Sequence, residues 1–415
     1  MRYFFVLGRN PAVSAAEILA CTHGESVTVS ELHKQALVLS SPDELDPVEL
    51  MARLGGTIKA GRLTEHLIPV DGDGLTELLM RLLSARPEDG KLSFGFSVYA
   101  LEGPKPAAKA AQAFAKLKRS GMEAKRRLKE SGRSCRWVRP QTGTALSSVV
   151  VEKNGLAKAG TEFVLLVKDD QMYVGVTEAV QPFEEFSRTD YGRPGRDAKR
   201  GMLPPKLARM LLNLACVRPG TDLWDPFCGS GTIVTEALRL GCLHVSGSDL
   251  SAGAVKDTRA NIDWMKERGQ VPPAAEIALF ENDARQAPTE LRPGGLEAIV
   301  TEPYLGPPRE GRESKPALEK RLDELSGLYR DSLRTWRPLL RDDGCLVLAL
   351  PLYIVGLDRL GVSVPDIAGD LYEADPLIPP MLMKRMGVRE TANRGVTYGR
   401  PDQHVWREIV RLRPV

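Results

Sequence analysis

Apolar positions recur in short strand-length runs separated by stretches of helical spacing, so the chain reads as strands alternating with helices from end to end. Residues 3–8 read as a strand, and Ser14-Ala15-Ala16-Glu17 as a capping box opening a helix that ends near Gly24. Strands at 26–30 and 35–39, a helix at 47–54 and a strand at 57–63 complete a βαββαβ order, the ferredoxin-like arrangement. A helix at 74–85, a strand at 91–100 and a basic helical stretch interrupted at Ser120-Gly121 follow. Segments 134–138, 147–151, 162–168 and 171–177 complete a second α/β unit. A helix at 205–216, with Pro205 in its first turn, then leads into strands near 223, 243–249, 276–280 and 296–300 with helices between them. That alternation predicts a doubly wound parallel sheet. Residues 344–350 read as a further buried strand and 405–412 as a last one, inserted antiparallel. The expected units are 1–68 (ferredoxin-like), 69–180 (a second α/β unit), 181–202 (linker) and 203–415 (the doubly wound sheet).

The run Leu223-Trp224-Asp225-Pro226-Phe227-Cys228-Gly229-Ser230-Gly231-Thr232 carries the most chemistry. A strand, a tight glycine loop and a helix N-terminus make a nest that a cofactor can approach without Cβ clashes. An acid there suits a cofactor with a positively charged amino acid tail, which a phosphate-binding loop does not need. The run resembles the cofactor loop of S-adenosylmethionine methyltransferases that modify amino groups of nucleic-acid bases. That likeness assigns Asp225, Phe227, Gly229 and Gly231 to cofactor binding. Asp249 ends the next strand roughly 20 residues on, where such sheets hold ribose hydroxyls. Asp283, in Glu281-Asn282-Asp283-Ala284, stands where methyltransferases of this fold hold the adenine amine.

The fourth strand ends in Thr301-Glu302-Pro303-Tyr304-Leu305-Gly306. Amino-group methyltransferases carry Asp-Pro-Pro-Tyr or Asn-Pro-Pro-Tyr here, so this loop departs from the pattern. In the gapless register Glu302 replaces the acid, Tyr304 replaces the second Pro, and Thr301 and Gly306 match the Thr-Asp-Pro-Pro-Tyr-Gly form of RNA guanine methyltransferases. In the register aligned on Pro-Tyr, Thr301 stands in place of the acid. Glu302, Pro303 and Tyr304 are the catalytic candidates. A carboxylate and a backbone carbonyl accepting N–H bonds localise the lone pair of an exocyclic amine, and the tyrosine ring stacks on the base. Glutamate is one methylene longer than aspartate, so the acceptor must retreat or the base must sit differently.

Net charge is only +3 over 415 residues, which alone says nothing of nucleic acid. Its distribution says more. Lys105, Lys109, Lys116, Lys118, Arg119, Lys125, Arg126, Arg127, Lys129, Arg133, Arg136 and Arg139 face only Glu123 and Glu130, a bias that suits phosphate contacts. A second basic cluster, Arg188, Arg193, Arg196, Lys199 and Arg200, precedes the catalytic half. The six cysteines and five histidines are scattered, so they predict reduced thiols and no metal site. No membrane-length apolar run or signal peptide is visible, and a cytoplasmic protein is expected. The apolar and basic span 377–394, rich in Met, reads as core more readily than as a substrate cleft.

Phe4-Phe5-Val6-Leu7-Gly8-Arg9-Asn10-Pro11 with Ser14 to Leu19, and the stretch from Asp190-Tyr191-Gly192-Arg193 to Leu203-Pro204-Pro205-Lys206-Leu207-Ala208-Arg209, resemble the THUMP-containing tRNA guanine-N2 methyltransferases. The resemblance implies a Rossmann-like S-adenosylmethionine methyltransferase sheet behind ferredoxin-like and THUMP-like units. It also implies tRNA as partner, and a segment before the catalytic unit that covers the methionine part of the cofactor. The product would be an N2-methylated guanosine. Some relatives need a partner subunit, and a small activating subunit stays open. Two other readings remain: a tRNA-binding homologue that transfers no methyl, and a DNA amino-methyltransferase.

Overall fold

The computed structural model describes residues 1–64, 67–87, 90–102, 105–195, 202–388 and 390–415. It contains two nine-stranded sheets. In the first, the strands Thr28–Leu32, Ala36–Ser40, Arg2–Leu7 and Thr57–Leu63 lie in the ferredoxin-like order, all antiparallel. The sheet does not end there. Thr57–Leu63 also pairs antiparallel with Gln171–Val180, which continues through Thr161–Lys168 and Leu92–Ala100 to the edge strand Cys135–Val138. The expected boundary at 68/69 therefore falls within one continuous sheet.

A fully buried ion pair sits beside that seam. The Lys59 ammonium reaches Glu162, the Ser97 hydroxyl and the Leu146 carbonyl, while Thr177 Oγ1 donates to the other Glu162 oxygen at 2.7 Å. Every bond joins residues from different strands or loops, so losing either partner would strand a charge in the core.

Three local expectations are corrected. The first helix runs Pro11–Cys21, so Ser14-Ala15-Ala16-Glu17 lies inside it rather than opening it. Ser14 Oγ reaches back to the Asn10 and Gly56 carbonyls, and the Glu17 carboxylate accepts from the Gly55 and Gly56 amides and from Asn213 Nδ2. The basic stretch is one unbroken helix, Pro106–Glu130. Gly121 does not interrupt it but lets the Trp137 indole pack close, since a Cβ there would lie 2.4 Å from that ring. Segment 147–151, grouped with the strands, starts a helix, Ser148–Lys153, capped by the Ser147 hydroxyl.

The second sheet follows the order Glu276–Glu281, His244–Asp249, Asp222–Asp225, Leu296–Thr301, Leu340–Val355, Val405–Pro414, Tyr372–Asp375. Its first five strands are parallel, and Val405–Pro414 is inserted antiparallel as expected. This is the Rossmann-like methyltransferase arrangement. Strand order reverses between Asp222–Asp225 and Leu296–Thr301, which opens a crevice at their C-terminal ends.

The helix Pro205–Leu214 docks the first sheet onto the second. Gly55 and Gly56 meet it so closely that a Cβ would lie 2.4 Å from the Lys206 carbonyl or 2.7 Å from Met210 Sδ. The nearly buried Arg209 binds Glu236 at 2.8 Å, Glu185 at 3.1 Å and the Ala52 carbonyl. Burial raises the Glu17 carboxyl to about 7 despite its three donors. The segment expected as linker holds a helix, Phe183–Gly192. Leu377, Ile378, Met383 and Met386 join the core beneath this junction, whereas Met381 is exposed.

Candidate active site

The glycine loop is fixed to its neighbours through its backbone. Cys228 N–H donates to the Ser248 carbonyl, Thr258 Oγ1 to the Gly229 carbonyl and Asn261 Nδ2 to the Ser230 carbonyl, at 2.8 Å each. Gly231 has φ +77, and a Cβ on it would lie 2.5 Å from Thr258 Cγ2. Gly229, at φ +54, has open space above it and needs only the left-handed backbone. Phe227 and Trp224 meet the Trp336 indole edge-on, which anchors the loop to the apolar core. Cys228 is buried, which pushes its thiol up and keeps it protonated.

Three acids converge at the strand ends. Asp225 is buried, and its Oδ1 accepts from Thr301 Oγ1 at 2.7 Å and from the Phe227 amide at 3.2 Å. Burial raises its carboxyl to about 7, with the negative charges of Asp249 and Glu302 adding to the shift. Asp249 accepts the Gly229 amide at 3.0 Å and the Ser251 amide at 2.9 Å, so it braces the loop and opens the helix Ala252–Lys266. Asp249 and Glu302 leave negative charge beside the glycine nest, which suits a cationic ligand.

Asp283 is engaged by a near neighbour. Arg285 binds both of its oxygens, at 3.0 and 2.7 Å, and holds the carboxyl below its ordinary range. Asn282 N–H donates to the Asp249 carbonyl, so this turn is tied to the neighbouring strand end.

The loop after Leu296–Thr301 is held from beneath by two tyrosines. Tyr329 donates to the Tyr304 carbonyl at 2.5 Å and Tyr353 to the Leu305 carbonyl at 2.8 Å. Burial pushes both phenols up, so both stay donors. No donor among the described residues reaches the Pro303 carbonyl. Glu302 Oε1 accepts from Arg407 Nε at 2.8 Å, while Oε2 has no hydrogen-bond partner among the described residues. Tyr304 is 53% exposed beside these acceptors, as a residue that offers a stacking surface must be.

Sequence reasoning missed Thr301 as the partner of Asp225, and it missed Tyr329, Tyr353 and Arg407 altogether. Only Thr301 left a local signal, by preceding Glu302. Of the second basic cluster, Arg188 is exposed, but Arg193 is buried and donates to Thr232 Oγ1 at 2.7 Å, so it is no exposed grip. Arg196, Lys199 and Arg200, like Asp197 and Gly201 of the same stretch, lie outside the described residues. Gly195 exchanges hydrogen bonds with Asn261, which brings the segment before the catalytic unit against the glycine loop.

Fold and loop together define a Rossmann-like methyltransferase unit. Residues 193–270 match the model of the RMKL-like methyltransferase domain. Among curated proteins, the chain is 32% identical over 154 residues to the tRNA (guanine(10)-N2)-dimethyltransferase of Methanothermobacter thermautotrophicus, covering 37% of this chain and 40% of that one. It is 33% identical over 123 residues to the tRNA (guanine(6)-N2)-methyltransferase of Thermus thermophilus, covering 29% and 33%. The matched part thus spans about two fifths or less of these relatives' length. Among solved structures, TrmN from Thermus thermophilus aligns over 100% of both chains with a TM-score of 0.51 at 18% identity, a likeness of fold. No helix among the described residues is long and apolar enough to cross a membrane.

Proposed function

We propose that this protein transfers a methyl group from S-adenosylmethionine to the exocyclic N2 amine of a guanosine in tRNA. The observation that carries the reading is the juxtaposition at one crevice of the acid-lined glycine nest and a loop with two open acceptors, Glu302 Oε2 and the Pro303 carbonyl. The nest fits the cofactor: Gly229, with open space above it, lets the ligand approach the backbone, and Asp249 and Glu302 supply negative charge for an ammonium and a sulfonium. When bound, S-adenosylmethionine supplies an electrophilic methyl carried on sulfur.

The chain's own residues do the rest. Glu302 and the Pro303 carbonyl accept the two N–H bonds of the amine, turn its lone pair out of the ring system and aim it at the nest. Tyr304 stacks on the base, which must leave its helix to reach this depth. With the cofactor bound, the methyl would leave its sulfur as the N–C bond formed, and Glu302 would stabilise the positive amine nitrogen until its proton passed to solvent. The curated relatives, both named as tRNA guanine-N2 enzymes, support guanine as the base. Lys116, Lys118 and Arg119 are exposed on Pro106–Glu130 and have no acidic partner among the described residues, so they are the candidates for phosphate contact. Arg126 and Arg127 are neutralised by Glu123, Glu130 and Glu77.

The test is transfer of labelled methyl to unmodified tRNA transcripts, with mass spectrometry of the nucleosides. N2-methylguanosine is the expected product, and Glu302→Gln should remove turnover while tRNA affinity persists. Methylation of adenine or cytosine would reject the guanine reading. Methyl-donor binding without transfer to any nucleic acid would favour a non-catalytic homologue.

A further inference from the structure

The partner that holds Glu302 comes from the far end of the chain, 105 positions later. Arg407 lies on Val405–Pro414, paired with Pro351 on one side and Tyr398 on the other, so its backbone is fixed by two neighbouring strands. Its side chain is 14% exposed and that of Glu302 is 13% exposed. A charge-assisted hydrogen bond largely screened from water is far more directional than a surface ion pair.

The contact is one-sided. Arg407 takes Oε1 and leaves Oε2 open. That solves a problem the Glu302 substitution creates. Glutamate has one more rotatable bond than aspartate and reaches about 1.5 Å further, so an untethered carboxylate would sample several positions. Misplacement by about 1 Å is enough to cost on the order of a hundredfold in rate. A guanidinium on a paired strand fixes the position of Oε1 through one directional N–H bond, which a lysine's freely rotating ammonium does less well.

We infer that Arg407 is a positioning residue for methyl transfer: it pins Glu302 through Oε1 so that Oε2 meets an N–H of the acceptor amine. Glutamate in this loop and arginine on the last strand then form one device that replaces the shorter acid. The inference rests on the reading of Glu302 as the acceptor given above.

The test is a double-mutant cycle with Glu302→Asp and Arg407→Gln in the full chain, reading kcat and KM separately for methyl transfer. Each single variant should lower kcat by about 30-fold or more, with KM for tRNA and for the methyl donor within about twofold. The double variant should be no slower than the slower single variant, because both changes lose the same pinned oxygen. Arg407→Lys should recover part of kcat and serves if Arg407→Gln does not fold. An unchanged kcat, a rise in KM for tRNA at constant kcat (a phosphate contact instead), or multiplicative effects would overturn the inference. Transfer by the wild type to another base would reject the guanine reading and leave the cycle readable on that base. No transfer at all would reject both.

Discussion

Thr301 Oγ1 donates to Asp225 Oδ1 at 2.7 Å, joining the ends of the two strands between which the order of the second sheet reverses. The bond keeps the acid below the glycine loop, out of water, at a cost in stability. In the native protein Asp225 retains its proton up to about pH 7, whereas its ordinary value is 3.8. The unfolded chain loses that proton first, so stability falls as pH climbs from about 4 to about 7, by an amount on the order of 2–4 kcal/mol.

Asp225→Asn keeps the acceptor for Thr301 and Phe227 and removes the charge. Urea unfolding at pH 8 should show a gain of about 1–3 kcal/mol that shrinks toward pH 4. Calorimetry on the same variant should show binding of S-adenosylmethionine lost. A variant no more stable than the wild type at pH 8 would refute the buried-charge account.

Gly231→Ala combines a left-handed backbone with a clash against the Thr258 methyl. It should cost about 1–3 kcal/mol and weaken cofactor binding more than tenfold. Adding Thr258→Ser removes the methyl, keeps the hydroxyl that holds the Gly229 carbonyl, and should restore part of both. Thermal unfolding and cofactor titration check the pair.

Tyr329→Phe and Tyr353→Phe each strip a donor from the carbonyls of Tyr304 and Leu305. Each should lower kcat about threefold to tenfold, and the double variant should exceed either. Both substitutions spare the glycine nest, so an unchanged affinity for S-adenosylmethionine separates loop support from cofactor binding.

Replacing Lys116, Lys118 and Arg119 together by alanine should weaken tRNA binding and make log Kd less steep in log salt, with kcat at saturating tRNA unchanged. An unaltered salt slope would move the RNA contact elsewhere on the chain.

The features legible in the sequence were those fixed by near neighbours. The glycine loop, and Asp225 and Asp249 at successive strand ends, each depend on a few adjacent residues, and each lies where the pattern puts it. Glu17 was misread because its true partners, Gly55, Gly56 and Asn213, are 38 to 196 positions away. Ser120-Gly121 looked like a break because the sequence does not reveal the indole that requires a glycine there. Arg407 was invisible for the same reason, since nothing near it says that a strand pairing carries it to Glu302. Asp283 follows the strand Glu276–Glu281, but the spacing did not disclose that Arg285 would bind both its oxygens.

The seam between Thr57–Leu63 and Gln171–Val180 also determines how this protein can be divided. A fragment cut after residue 68 would present a bare strand edge, ready to recruit another chain, with Lys59 facing no carboxylate. The complementary fragment would carry the matching edge and Glu162 without its cation. The first two units therefore have to be made, folded and inherited as a single piece, and a chimera that exchanged one without the other would inherit half a sheet.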